Sequence, residues 1–267
     1  MPEEDGSAPV GYGYIDRNLA RVREEIAAAC REAGRDPSGV TLLAAIKSAD
    51  VGEINYLHRH CGVCFVGENR VQQLTERYDR LERDGLHLHF IGTLQTNKVK
   101  YIIDKVDMVE SLDSPGLARE LQRQAEKHGR VVDVLIEINI GREPAKSGVL
   151  PEDAEELVRA VCGGYDRLRL RGFMTMAPKG DAASYRRLFG EMRRLSESLW
   201  ELTPGRNEPM VLSIGQLPVC SSRRGNAGTG RSGAVRTRGQ RYGIDTEPEH
   251  NTKKYRRGKH YVSKGFV

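Results

Sequence analysis

Lys47 ends the apolar run VTLLAAIK (40–47) and is followed at once by Ser48 and Asp50. A lysine amine has a reference pKa of about 10 and is protonated at neutral pH. Desolvation or neighbouring cations lower that value and free the lone pair to attack an aldehyde. More often such a lysine simply reaches solvent, so its position needs support from elsewhere in the chain. A second grouping is His58, His60, Cys61 and Cys64, an H-x-H-C-x-x-C pattern with the donor types of a zinc site. It has one C-x-x-C and no second pair, Cys64 opens an apolar stretch, and the histidines end a helix where cations are favoured, so the expectation is no metal. His87 and His89 alternate along a strand and share a face, where packed, hydrogen-bonded roles are expected. Arg171, on a later apolar run, either compensates carboxylates, repels charge at Lys47, or forms a structural ion pair.

These groups sit on a regular rhythm. Ile15, Leu19, Val22 and Ile26 recur at helical spacing over 14–31, and Gly34 ends that helix. Pro37 and Gly39 then force the 40–47 run to be a strand. Further short apolar runs lie at 63–66, 87–91, 107–109, 132–140, 168–174 and 210–214, separated by helical stretches at 51–59, 68–81, from about 95, and at 114–128, 151–161 and 184–202. Near-continuously apolar strands alternating with helices predict a parallel sheet covered by helices. Polar residues follow most strands, namely Lys47, Asn69, Gln95, Ser111, Asn139 and Ser213. Their convergence on one mouth favours a (β/α)8 TIM-type barrel, with its last βα unit altered or missing, over an open doubly wound sheet.

With 267 residues and 38% hydrophobic content, the chain is long enough for a large core. The acidic start and the lack of a long apolar run predict a cytoplasmic protein with no membrane span. Five cysteines at irregular spacing fit a reducing compartment. The formal charge of +5 is unevenly placed: 216–267 carries +9 and the rest −4. The basic character therefore belongs to the tail and does not mark the whole chain as a nucleic-acid binder.

The strand ends read AAIK (44–47), FVGENRVQ (65–72), HFIGTLQTNK (89–98), INIGREPAKSG (138–148), LRLRGFMTM (168–176) and VLSIG (211–215). In this order, over 14–215, the sequence resembles the pyridoxal phosphate homeostasis protein family, which is similar to the barrel domain of alanine racemase. The resemblance implies a barrel that binds pyridoxal 5′-phosphate (PLP) as a Schiff base to Lys47. It places Asn69 and Met174 beside the cofactor, Lys146 as a second lysine near the mouth, and Ser213 to Gly215 at the start of the phosphate-binding segment. It also implies a role in vitamin B6 and amino-acid balance without robust turnover, transient contact with PLP-dependent apo-enzymes, and a monomer. The residues after Lys47 depart from the family, which has a proline there.

A larger departure begins at Gln216. Where the family continues through a helix and a VRVG-like last strand, this chain runs SSRRGNAGTGRSGAVRTRGQRYG. A reading-frame change accounts for the lost periodicity and the charge shift together: 220–225 and 230–236 can be encoded so that a one-nucleotide move gives AVAVEE and VGAVLFG. Sequencing the locus tests this, and DNA with no frame restoring a VRVG-like strand rules it out. The resulting expectations are a disordered N-terminus (1–13), a barrel (14–215) and a disordered basic segment (216–267). Such a chain would have two unpaired sheet edges, poor solubility and weakened PLP binding. The tail's arginines and tyrosines also raise a nucleic-acid-binding alternative, and the fold a racemase-like one, which the missing second domain disfavours.

Overall fold

The computed structural model describes residues 11–178, 180–204, 208–215 and 259–265. Helix α1 (Gly13–Glu32) buries Ile15, Leu19, Val22 and Cys30 along one stripe. Pro37–Gly39 forms a short 3-10 turn capped by Asp36, which feeds strand β1 (Val40–Ala45). Helix α2 (Val51–Arg59) starts with a reciprocal cap: Asp50 accepts from the Glu53 backbone N–H, and Glu53 accepts from that of Asp50, both at 2.8 Å. That cap fixes the path of the chain directly after Lys47.

The alternation continues through β2 (Phe65–Glu68), α3 (Val71–Arg77), β3 (His87–Phe90), β4 (Met108–Leu112), α4 (Pro115–Lys127), β5 (Val132–Glu137), α5 (Ala154–Gly164), β6 (Leu168–Met176), α6 (Ala182–Trp200) and β7 (Val211–Gly215). The helix expected from about Gln95 is instead a 3-10 segment, Thr96–Tyr101, with Lys98 N–H bonded to Gln95 O and Ile102 N–H to Val99 O. The tighter winding lets Val99, Ile102 and Ile103 all bury against the core within a short connection.

The strands form a closed parallel barrel in the order β1 to β8, so the barrel expectation holds. Its last unit is altered, because β8 is Lys259–Gly265, far along the basic segment. β8 pairs with β1 from Val40↔His260 to Ala45↔Gly265, and with β7 from Val211↔Lys259 to Ile214↔Val262. Two expectations are corrected here. Residues 259–265 are a strand within the segment expected to be disordered, and neither β1 nor β7 is left as an open edge. The physical reason is that the free backbone groups on both edges offer a parallel ladder to any extended segment, and Tyr261 and Val262 are good strand formers. The bulk of the basic segment, 216–258, carries the reading-frame and nucleic-acid expectations and lies outside the described residues, as do 1–10.

Two layers of packing follow from strand alternation. Outward residues such as Val66, Phe90, Val134, Ile136 and Phe173 join Ile54, Leu74, Leu117, Leu121 and Val158 of the helices in the large core. Inward residues Met108, Leu135, Met174 and Val211, with Phe65 and Met176, form a smaller cluster inside the barrel. No helix among the described residues is long and apolar enough to cross a membrane.

Candidate functional site

The C-terminal ends of the strands make the mouth. Ala45 of β1 stands opposite Gly67 of β2, which puts Lys47 and Asn69, each two residues further on, side by side at the rim. Lys47 is exposed on a turn. Asn69 is half-buried, and its Oδ1 is out of contact with solvent and has no hydrogen-bond partner. An acceptor in that state costs stability unless a ligand completes it. The rim is tight on the other side of Asn69: a Cβ at Gly92 would run into its carbonyl.

Glu68 and Arg77 hold this pair in place. Glu68, fully buried, accepts from the Asn69 and Arg70 backbone N–H groups at 2.7 and 3.1 Å. Arg77 donates to Glu68 at 3.0 Å and to the Ile46 carbonyl at 2.9 Å, so one guanidinium ties the backbone before Lys47 to the strand that carries Asn69.

Deeper in the barrel lies a polar chain. His89 Nδ1 is 2.6 Å from one Glu110 oxygen, and Ser213 Oγ donates to the other at 2.6 Å. All three side chains are buried. With Glu110 as the acceptor carboxylate, His89 Nδ1 is the donor of this bond. Next to Ser213 in register stands Met174, and next to Met174 stands Glu137. Burial, aided by the charge of Asp113 and opposed by a bond from Ser147, pushes the Glu137 carboxyl up to about 7.

The loop after β5 carries Lys146. Asn139 donates to the Glu143 and Lys146 carbonyls and accepts from the Glu143 N–H. Ser147 donates to Glu137 at 3.0 Å. Lys146 Nζ reaches the Ala177 carbonyl at 3.1 Å and the Glu143 carboxylate at 2.7 Å, which holds a second amine at the end of β6.

Of the residues singled out from sequence, the structure gathers Lys47, Asn69, Lys146, Met174, Ser213 and Gly215 at or below one mouth. Gly215 is required to be small, because a Cβ there would meet the Met176 sulfur. Arg171 is elsewhere. It is the extra residue of a bulge between Val134↔Leu170 and Leu135↔Gly172, and it pairs with Asp133 at 3.6 Å and with Glu208. It is thus a structural ion pair toward the opposite end of the barrel and does not act on Lys47. His58 bonds to the Val63 and Asp84 carbonyls and Cys61 to Asp16; among the described residues, no three metal-ligating side chains converge. His87 is exposed and stacks on Phe65 at 4.7 Å. Glu110 and Glu137 were missed, although each is a lone glutamate inside an apolar strand at inward parity, which is a readable signal.

The profile described as "Alanine racemase, N-terminal domain" matches residues 17–215, which span the first seven strands of the barrel. The chain is 41% identical over 182 residues to the pyridoxal phosphate homeostasis protein of Aquifex aeolicus, covering 68% of this chain and 79% of that one. It is 36% identical over 186 residues to that of Escherichia coli K12, covering 68% and 77%. The chain belongs to the pyridoxal phosphate homeostasis protein family. Among solved structures it is similar to an unknown protein from Bifidobacterium adolescentis, at 34% identity and TM-score 0.69 over 78% of this chain and 88% of that one. It is also similar to PipY of Synechococcus elongatus with PLP bound, at 27% identity and TM-score 0.63 over 75% and 88%.

Proposed function

We propose that this chain binds PLP covalently through Lys47 and takes part in balancing PLP and amino-acid pools. The observation that carries the reading is the placement of Lys47 and Asn69 just past two adjacent strand ends at one barrel mouth, with the Asn69 Oδ1 buried and unpartnered. The residues present fit the group. Gly67 and Gly215 lack a side chain where Ile91 and the flexible Met176 pack against them, and Asn69 offers an acceptor that nothing in the described chain completes. When bound, the cofactor supplies an aldehyde that condenses with a primary amine, releasing water.

Each residue then has its own task. Lys47 provides the amine, Asn69 and Met174 flank the ring, and Ser213 and Gly215 lead into the segment that receives the phosphate. Lys146 stands as a second amine, held by Ala177 and Glu143. We assign no robust turnover, and the working form is a cytoplasmic monomer that hands PLP to apo-enzymes by transient contact. The names borne by the relatives support homeostasis over a racemase or a nucleic-acid binder.

The test is to incubate the purified chain with PLP, reduce with borohydride, and map the phosphopyridoxyl group by mass spectrometry. Modification concentrated on Lys47 is expected. Labelling spread over surface lysines, or absent, overturns the reading. Gel filtration and retention of label by added apo-enzyme test the monomer and the transfer role.

A further inference from the structure

The Glu110 carboxylate is saturated from two sides, by His89 of β3 and by Ser213 of β7, across the width of the barrel. A serine hydroxyl has one proton to donate and two lone pairs to accept with. Here the proton is spent on Glu110. Resting on the PLP reading above, we infer that His89, Glu110 and Ser213 act as one positioning relay that leaves the Ser213 hydroxyl only as an acceptor and so selects a ligand with a protonated ring nitrogen.

Three further observations support this. Ser213 faces inward on the same strand as Gly215, and the side chain that would stand at 215 is replaced by the Met176 sulfur, a flexible cover that yields to a ring. Ser213 is also next but one to Glu137 across the sheet, with Met174 between them. Glu110 and Glu137 are two buried carboxyl groups on the inward face of the barrel, and burial is the main cause that raises the Glu137 carboxyl to about 7. An interior of this kind favours a cationic ring over a neutral one. His89 keeps the Glu110 carboxylate turned, so that its second oxygen always points at Ser213. It is a positioning residue at one remove.

The test compares PLP with its 1-deaza analogue, in which a C–H replaces the ring nitrogen, on the full chain. Wild type is expected to bind PLP at least about tenfold tighter than the analogue, the size of one charge-assisted hydrogen bond. Ser213→Ala is expected to weaken PLP while leaving the analogue within about twofold, so that the preference collapses. The nitrogen-15 resonance of bound, labelled PLP should lie in the pyridinium range in wild type. It should move toward neutral pyridine in Glu110→Gln, whose amide donates to Ser213 and turns the hydroxyl proton toward the ligand. A merely structural role for Glu110 does not produce that shift. If Glu110→Gln does not fold, the Ser213→Ala comparison decides. Equal binding of both ligands by wild type, with both trapped on Lys47, overturns the relay and leaves the PLP reading standing. Failure of either ligand to label Lys47 overturns both.

Discussion

Arg77 and Glu68 form an ion pair at 3.0 Å that is closed off from solvent on the Glu68 side, and the same guanidinium nitrogen bonds the Ile46 carbonyl. The pair lies outside the barrel, yet it joins the backbone one residue before Lys47 to the backbone one residue before Asn69. Removing one partner of such a pair leaves a buried charge alone, which costs about 3 kcal/mol or more. Arg77→Met is expected to lose about that much stability in urea titration. It should also slow the trapping of PLP on Lys47 under conditions where the variant is still folded. An unchanged trapping rate would confine Arg77 to a role in stability.

Lys47 itself is exposed and carries no packing, so Lys47→Ala should change the unfolding midpoint by less than about 0.5 kcal/mol. The same variant should abolish the borohydride-trapped adduct. Persistence of a single, strong adduct at Lys146 would show that the second amine can take over, since its Nζ is held at the same mouth.

The sequence made the first seven strands legible because each is a short, nearly unbroken apolar run stopped by glycine or a polar rim residue. Lys47 was legible for the same reason: a charge at the end of such a run has a defined place. β8 was not, because KHYVSKG is basic, only weakly patterned, and separated from β7 by more residues than any other strand connection in the barrel. Its strand character comes from pairing with β1 and β7, which is a tertiary effect. The Arg77 and Glu68 tie was equally invisible, since nothing local distinguishes a helix arginine that reaches back to a strand carbonyl from one in solvent.

The closure by β8 has a direct consequence. A chain ending at 258 lacks the ladder that covers both β1 and β7, and their free backbone groups invite pairing with another copy. The truncated chain is expected to aggregate or to expose apolar surface, read by dye binding and gel filtration against the full chain. A truncated chain that stays monomeric and unfolds at the same urea concentration would mean that 259–265 contribute nothing to stability.

Glu137 gives the fold a particular pH dependence. Its carboxyl is raised from an ordinary value of 4.5 to about 7, chiefly by burial. The folded state therefore binds this proton more tightly than the unfolded chain does. The stabilisation is fully present below about pH 4.5 and is lost as pH rises through about 7. The loss amounts to roughly 3 kcal/mol once the pH is well above both values. Glu137→Gln keeps a neutral side chain that can still accept from Ser147, so it removes the titration and most of that loss. Urea unfolding at pH 5 and pH 8 should show the wild type falling relative to Glu137→Gln across this interval. Other carboxyl groups, such as Asp104 and Glu120, are displaced downward by Lys105 and Arg123 and change stability only at lower pH, in the opposite sense. Two parallel pH profiles for wild type and Glu137→Gln would mean that Glu137 is ionised in the folded chain throughout, with Ser147 and the loop around Lys146 solvating its charge.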